Sequence, residues 1–348
     1  MRLMISPFDV LMFRDFRPFN AGESFIAKSI YPSPQAIVGA IRTKLLLKYN
    51  HSDEIRELIG YEKEEPGFEV YGVFFTKDRD EVFPLPRNIV KHKTDTEEFF
   101  KIKPMKVKWG NLTILAGKYM HYKGVGCFLD KQNLRKYLLG NFQPSEDNII
   151  KEGDIVKREE RVGIKLRDEK TTEEGFFYTC QFLRLEEDVG LSVWLDGRLK
   201  DYLENTGIIK LGGEGRGAYY QVFGNFEIDW EKDIIDRVNE DGRFLLYMAT
   251  PTIVEQNGTC TWDIKIEIEN KLGVTVNSLY AAIDKAQPVG GWDVAKKMPK
   301  LARYAIPQGS VYFIEFSGEV SRAWVKLGKL LKLGFGLGFV GVWGDEDV

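Results

Sequence analysis

Two glycine-rich loops stand in similar places along the 348-residue chain, and they constrain its fold more than any other feature. One loop reads LGGEGRG (211–217) and the other reads GFGLG (334–338). Each follows a segment predicted as a helix, RLKDYLENTG (198–207) and EVSRAWVKLGKLLKL (319–333), and each precedes a predicted strand. A fold made of two similar halves explains this repetition.

The first half begins with the order strand, helix, strand. Strands are predicted at 3–13 and 68–77, with a helix at 33–49 between them. Ser33 is a favourable N-cap, and Pro34 suits the first helical position. Apolar residues recur along this helix at four-residue spacing, at Ile37, Ile41 and Leu45. This spacing predicts one inward-facing stripe.

The complete predicted order of the first half is strand, helix, strand, a long insertion, strand, helix, strand, which matches the split β-α-β unit. A second, shorter version follows, so we predict an α+β protein with two ferredoxin-like, RRM-like (βαββαβ) domains. Their predicted bounds are 1–228 and 229–348. The first domain contains a long insertion, at about 84–176, and a projecting β-hairpin is predicted at 161–185. The predicted strands of the second domain include 242–254, 262–270, 278–286 and 310–318.

Composition limits the possible functions. The net charge is −3, so nucleic-acid binding requires a local basic patch rather than a basic molecule. Cys127, Cys180 and Cys260 stand far apart without a C-x-x-C pair, which argues against zinc or redox sites and fits the cytoplasm. The uncharged run 333–344 is too short to span a bilayer, so no membrane association is predicted.

The C-terminal glycines also match G-x-G-x-x-G, at Gly336, Gly338 and Gly341. A dinucleotide site requires this pattern after a strand and at the start of a helix. Here the pattern follows a predicted helix, so a dinucleotide cofactor is not predicted. Close approach of another group to the backbone is the alternative reason for so many glycines.

Basic residues are concentrated in two segments. Residues 87–123 carry nine Lys or Arg against three acids. In the predicted hairpin, RVGIKLR places Arg161, Lys165 and Arg167 on one face of an extended chain. This pattern fits either a half-buried strand with a solvated face or a hairpin whose basic face contacts RNA phosphates.

The loop RDFRPFNAG (14–22) contains a second group of basic residues that could contact RNA phosphates. Arg14 and Arg17 flank Asp15 and Phe16. Guanidinium groups suit phosphate, and a nearby carboxylate can hold one of them in place. An Arg–Asp ion pair that only organises the loop is the alternative.

Catalytic signals are sparse. The three histidines, His51, His92 and His121, lack metal-site spacing, and the chain has no nucleophile elbow or Walker A motif. His51 follows the first helix and is the one candidate for a general acid or base in a metal-independent ribonuclease. We therefore predict a non-enzymatic protein without a metal or cofactor.

Several stretches together resemble a known family over nearly the whole chain. They are DVLMFRDFRPFNAGES (9–24), YPSPQAIVGAIRT (31–43), EERVGIKLRDEKTTEEGFFY (159–178), LGGEGRGA (211–218), PVGGWDVAKKMPKLARYAIPQGSVYFIEF (288–316) and GFGLGFVG (334–341). In this order they resemble the Cmr subunit of the RAMP superfamily that caps the crRNA 5′ end in type III-B CRISPR effector complexes.

The resemblance implies a non-catalytic RNA-binding protein that holds the 5′ tag of crRNA. It also implies docking on the large polymerase-like subunit and on the first backbone RAMP subunit. The glycine loops would then let backbone N–H groups approach RNA phosphates. The expected RNA-binding residues are Arg14, Arg17, Arg42, Arg161, Lys165, Arg167, Gly212, Gly213, Gly215, Arg216, Gly334, Gly336 and Gly338.

Two alternatives remain open from the sequence. One is a RAMP endoribonuclease that processes crRNA precursors with His51. The other is an assembly subunit that has no RNA contact of its own.

Overall fold

The structure is a computed structural model of the chain. It describes residues 1–14, 26–27, 29–93, 98–106, 112–119, 121–166, 172–228 and 231–344, of which 26–27, 164–166, 172–178 and 231–232 are described by backbone alone. The protein is a strand-rich α+β fold with short helices.

The elements up to residue 228 are mostly strands. The helices are α1 (Pro34–Lys48), α2 (Asp53–Leu58) and α3 (Lys131–Leu138), with 3-10 turns at Glu146–Asn148, Glu152–Asp154 and Gly197–Leu199. The strands are β1 (Arg2–Pro7), β2 (Ile26–Ala27), β3 (Val70–Lys77), β4 (Asp80–Pro84), β5 (Ile89–His92), β6 (Phe99–Lys101), β7 (Lys103–Lys106), β8 (Thr113–Ala116), β9 (Tyr122–Lys123), β10 (Cys127–Asp130), β11 (Ile150–Lys151), β12 (Val156–Leu166), β13 (Thr172–Leu185), β14 (Val189–Leu195), β15 (Thr206–Lys210) and β16 (Gly217–Val222).

The later part of the chain has a similar composition. Its helices are α4 (Glu231–Asp241) and α5 (Lys265–Leu272). Its strands are β17 (Arg243–Met248), β18 (Val254–Gln256), β19 (Thr259–Thr261), β20 (Thr275–Ala282), β21 (Gln287–Val289), β22 (Trp292–Asp293), β23 (Met298–Pro299), β24 (Arg303–Ala305), β25 (Val311–Ser317), β26 (Trp324–Lys326) and β27 (Leu337–Val342).

The largest sheet has the strand order β11-β10-β4-β3-β14-β1-β16-β15. Its neighbouring strands are antiparallel, and Leu3 of β1 is opposite both Val193 of β14 and Val222 of β16. Helix α1 contributes to the core with this sheet, and Ile37, Ile41 and Leu45 are fully buried. The predicted inward stripe of this helix is therefore confirmed.

A second antiparallel sheet has the order β20-β25-β17-β27-β26. Leu246 of β17 is opposite Tyr312 of β25 on one side and Val340 of β27 on the other. All three residues are completely buried, so β17 and its two neighbours form the centre of this part of the protein.

The two sheets share a hydrophobic core. The rings of Phe83 and Phe339 lie 6.3 Å apart across this contact, and the Tyr247 hydroxyl donates a 2.7 Å hydrogen bond to the Pro84 carbonyl. Lys326 donates 2.9 Å hydrogen bonds to Glu69 and to the Val70 carbonyl. The halves therefore pack tightly against each other.

Both helices predicted before the glycine loops are wrong. Residues 198–207 contain the end of one 3-10 turn and the start of β15 instead. Residues 319–333 contain β26, and the buried residues Ala323, Val325 and Leu327 alternate as in a strand. Gly328 and Leu330 then adopt positive φ angles of 84° and 57°, which no helix accommodates.

The predicted strand at 262–270 is also wrong, because helix α5 occupies most of it. Its isoleucines alternate in sequence, which favoured a strand. The structure buries Ile264 and Ile268 completely and leaves Ile266 55% exposed. The four-residue spacing of the buried pair is the helical period, and it outweighs the alternation.

The predicted hairpin is confirmed, since β12 and β13 pair from Val156 opposite Leu185 up to Leu166 opposite Thr172. The insertion that precedes it is more regular than its sequence indicates. Strands β10 and β11 extend the largest sheet, and α3 packs beside them. A short parallel pairing joins β13 to β2.

Candidate RNA-binding surface

Three arginines from separate segments meet at one carboxylate near the base of the hairpin. Arg161 lies on β12, Arg184 lies on β13, and Arg216 comes just before β16. Arg161 Nη2 and Arg216 Nη1 each lie 3.5 Å from Asp9 Oδ2. Arg184 Nη2 lies 3.3 Å from Asp9 Oδ1. We call these three residues the arginine cluster.

A second carboxylate orients two members of the cluster. Arg161 Nε donates to Glu159 Oε1 at 2.7 Å, and Arg184 Nε donates to Glu159 Oε2 at 2.6 Å. Three guanidinium groups therefore face two carboxylates, Glu159 and Asp9, which leaves one positive charge in excess. The arginine side chains are 36%, 45% and 27% exposed in chain order, so all of them reach solvent.

An aromatic ring lies beneath the cluster. The guanidinium carbons of Arg161 and Arg216 lie 5.3 Å and 5.0 Å from the centre of the buried Phe182 ring. Cation–π attraction at this distance holds the planar groups in place. The Nε of Arg216 is itself buried and has no hydrogen-bond partner within the described part of the chain.

The charges of the cluster lower the pKa values of its carboxyl groups. Hydrogen bonds from Arg184 and Arg161 lower the pKa of Glu159. The Val10 amide lowers the pKa of Asp9, and the positive charges of Arg161 and Arg184 add to this effect. Both carboxylates therefore remain ionised near neutral pH and keep the arginines oriented.

The first glycine loop lies on the same side of the molecule. The Gly213 amide donates a 2.8 Å hydrogen bond to the Met12 carbonyl, which ties the loop to the segment after Asp9. Gly212 has φ of 78°, and a Cβ there would lie 2.5 Å from the Met12 oxygen. Gly212, Gly213 and Gly215 are all exposed, and Gly215 also has a positive φ, of 62°.

Arg14 lies close to the loop and the hairpin. Burial raises the pKa of the Cys180 thiol, the negative charge of Glu214 adds to this, and the positive charge of Arg14 opposes it. Cys180 is directly opposite Arg161 in the hairpin. The structure thus brings Arg14, Arg161, Arg216 and the first glycine loop together. Arg17 lies outside the described residues.

In the outer part of the hairpin, the structure describes residues 164–166 and 172–178 by backbone alone. The backbone places Lys165 on β12, and Arg167 lies outside the described residues. Their predicted contacts with phosphate stay predictions. The intervening Val162 is 69% exposed, so the hairpin also presents an apolar side chain to solvent.

Arg42 is engaged within the fold. Its Nε donates to the Ile59 carbonyl at 2.8 Å, and its Nη2 lies 3.4 Å from the carbonyl oxygens of Lys63 and Glu64. These bonds join α1 to the loop after α2. Arg42 therefore has a structural role, and its expected RNA contact stays a prediction.

The second glycine loop is internal, unlike the first. Gly334, Gly336 and Gly338 are buried. A Cβ on Gly336 would lie 2.1 Å from the Leu327 carbonyl oxygen, and φ there is 82°. A Cβ on Gly334 would lie 2.9 Å from a methyl group of Val70. Close packing inside the protein accounts for these glycines, and their predicted approach to RNA is untested.

His51 is exposed in the connection between α1 and α2, with φ of 58°. Within the described residues its imidazole has no hydrogen-bond partner. Among all the residues that the structure describes, no cluster of His, Cys, Asp and Glu side chains could hold a metal ion. Among the helices described, none has the length and apolarity to cross a membrane.

Sequence reasoning missed Asp9, Phe182 and Arg184. The register of the hairpin explains their convergence, because Glu159 is opposite Phe182 and Arg161 is opposite Cys180. Alternation along the segment CQFLR places Cys180, Phe182 and Arg184 on one face of β13. That alternation could have predicted that Phe182 and Arg184 share a face. Only the pairing of β12 with β13 shows that Glu159 and Arg161 lie on the same face.

The fold and this surface define a class of protein, a strand-rich α+β protein with an exposed arginine cluster beside a glycine loop. The family model described as "CRISPR-associated protein (Cas_Cmr3)" matches residues 3–343. The chain belongs to this CRISPR-associated family.

Two solved structures share the fold. One chain comes from a "Cryo-EM structure of the Type III-B Cmr-beta bound to cognate target RNA" and is 19% identical, with a TM-score of 0.54. Another, from the same complex "bound to cognate target RNA and AMPPnP, state 1", is 18% identical, with a TM-score of 0.55. Each alignment covers 90% of this chain and 86% of the other. No curated protein matches the chain.

Proposed function

We propose that this protein is a non-catalytic RNA-binding subunit of a cytoplasmic type III-B Cmr effector complex, and that it binds the 5′ tag of crRNA. Its family and the fold it shares with chains of Cmr-beta complexes support this role. The convergence of Arg161, Arg184 and Arg216 on Asp9, with Arg161 and Arg216 over the Phe182 ring, is the observation that carries the RNA-binding part.

The chemistry of the cluster suits a phosphodiester. Each guanidinium has five N–H donors, and the contacts with Asp9 and Glu159 use two on Arg161 and two on Arg184. The remaining donors are held in fixed orientations and can bond phosphate oxygens. The exposed backbone of the first glycine loop offers further close approach beside them.

The two sheets support a finer description of the fold. The orders β16-β1-β14-β3 and β27-β17-β25-β20 are each the 4-1-3-2 order of a βαββαβ unit. In both units strands and turns replace the second helix. We therefore describe the protein as two ferredoxin-like domains, at 1–228 and 229–348, each with one regular crossover helix.

The family resemblance supplies the partners of this proposal, which are the large polymerase-like subunit and a backbone RAMP subunit. A complex of this kind explains how a chain with net charge −3 serves as an RNA binder. The assembly brings additional charge, so the chain needs only a local basic surface.

A crosslinking map in the assembled complex tests the proposal. We expect nucleotides of the 5′ tag to crosslink near the arginine cluster and the 211–217 loop, and an untagged crRNA to lose these crosslinks. Tag nucleotides that crosslink only to other subunits would show an assembly subunit without RNA contact. Metal-independent cleavage of repeat RNA that disappears in His51→Ala would show a ribonuclease instead.

A further inference from the structure

A hairpin in the later half projects large apolar side chains into solvent. Strands β21 and β24 pair at its base, and β22 and β23 pair near its tip, with Trp292 opposite Pro299. The whole segment, residues 287–305, connects the edge strand β20 to β25. We call this segment the arm.

The exposure of the arm is unusual for apolar residues. Five large apolar side chains of the arm are more than half exposed: Trp292 59%, Val294 81%, Met298 52%, Leu301 66% and Tyr304 54%. Single exposed apolar residues are common on protein surfaces, but a concentration of them in one short segment marks an interaction site.

The arm is held in one conformation by polar contacts at both ends. Arg303 pairs with Glu64 and places its Nε 3.1 Å from Glu255 Oε1. At the tip, Asp293 Oδ1 accepts hydrogen bonds from the amides of Ala295 and Lys296, both at 3.0 Å. A surface ordered in advance loses less conformational entropy when it binds.

The charge of the arm is positive. Lys296 and Lys297 are exposed at the tip, and neither has an ion pair within the described residues. Lys300 is half-buried, and burial together with the charge of Arg42 lowers its pKa. Asp293 already caps the turn. The surface that a partner meets therefore combines apolar side chains with two unpaired ammonium groups.

We propose that the arm inserts into an apolar groove with an acidic rim on another protein subunit of the effector complex. This inference rests on the proposed function, since it requires that complex. The composition favours protein over RNA. Val294, Met298 and Leu301 gain by burial against apolar side chains, whereas bases stack on aromatic faces. Trp292 and Tyr304 are typical anchor residues of protein interfaces.

The test uses the full complex, assembled by co-expression of all its subunits with crRNA and purified through a tag on a different subunit. One variant carries Val294→Asp and Leu301→Asp, and a second carries Lys296→Glu and Lys297→Glu. Leu112→Asp serves as the matched control, because Leu112 is 61% exposed but lies outside the arm. Native mass spectrometry measures how much of this chain remains bound.

We expect each arm variant to reduce retention at least tenfold, while Leu112→Asp is retained like the wild type. Crosslinks between this chain and the crRNA tag, measured on the free chain, should be unchanged in the arm variants. Full retention with lost RNA crosslinks would show that the arm is an RNA surface, and full retention with normal crosslinks would show that it is no interface.

The wild-type chain separates this inference from the proposed function. If the wild type fails to enter the complex, or fails to crosslink to crRNA within the assembled complex, the proposed function is overturned. If the wild type succeeds in both and the arm variants behave in the same way, only the inference about the arm is overturned.

Discussion

The two loops are both rich in glycine and occupy equivalent places in the two halves, yet the protein uses them differently. The loop at 211–217 is exposed at Gly212, Gly213 and Gly215 and lies beside the arginine cluster. The loop at 334–338 is buried, and neighbouring carbonyl and side-chain groups leave no room for a Cβ. A repeated motif can thus keep its backbone role while only one copy remains available to a ligand.

The difference arises from what packs on each loop. The Gly336 carbonyl accepts a 2.9 Å hydrogen bond from the Leu327 amide, and the Gly336 amide donates a 2.9 Å hydrogen bond to the Pro251 carbonyl. The first loop is tied to Met12 through Gly213 and to Asp9 through Arg216, while Gly212, Gly213 and Gly215 stay exposed. Four measurements test this difference between the two loops and the role of the arginine cluster.

The largest effect is expected at Gly336. A valine there must adopt a positive φ and place its Cβ against the Leu327 oxygen, so Gly336→Val should lower the free energy of unfolding by roughly 3–5 kcal/mol. Denaturant unfolding measures this loss. Gly344→Val is the control, because a Cβ at Gly344 meets no atom within 4 Å. Equal stability of the two variants would contradict a packing role for the buried loop.

A smaller effect is expected in the exposed loop. Gly212→Ala brings a Cβ against the Met12 oxygen and should lower the free energy of unfolding by about 1–3 kcal/mol. Gly215→Ala has a positive φ but open space around its Cβ, so it should show only the conformational cost, about 1 kcal/mol. Thermal unfolding of both variants separates the cost of the steric contact with Met12 from the cost of the positive φ angle. A greater loss of stability in Gly215→Ala than in Gly212→Ala would refute this explanation.

The smallest effect concerns pH. The folded pKa of Glu159 is lowered by Arg184 and Arg161, so its contribution to stability is complete above the unfolded pKa, about 4.3, and is lost as pH falls through the folded value. The small Tm advantage of the wild type over Glu159→Gln should therefore be constant from pH 7 to 5 and shrink below pH 4. A difference that grows on acidification would reverse the sign and contradict the assignment.

The sequence predicted much of the fold and only part of the site. The four-residue spacing of Ile37, Ile41 and Leu45 was sufficient for α1, because spacing of buried residues is a local property. The same reasoning failed where two periods coexist, as at Ile264, Ile266 and Ile268. There the neighbouring β-sheet decides which residues are buried.

The site depended on strand pairing, which the sequence does not specify. Arg161 and Arg216 could be identified as basic residues near a hairpin and a glycine loop. The register of β12 and β13 places Arg161 beside Arg184, and contacts with Asp9 bring Arg216 to the same place. The burial of the second glycine loop likewise follows from the packing of β26 and β27, which the predicted helix at 319–333 concealed.

The salt dependence of RNA binding shows whether the arginine cluster contacts RNA phosphates. The variant Arg161→Ala, Arg184→Ala, Arg216→Ala is compared with a control of equal charge, Arg79→Ala, Lys200→Ala, Lys271→Ala, whose residues are exposed away from the cluster. Each lost phosphate contact on single-stranded RNA flattens log K against log salt by about 0.7, so the cluster variant should lose about 2 units of slope on tagged crRNA. The control should keep the wild-type slope. Equal slopes for the cluster variant and the wild type would show that the arginine cluster only stabilises the hairpin.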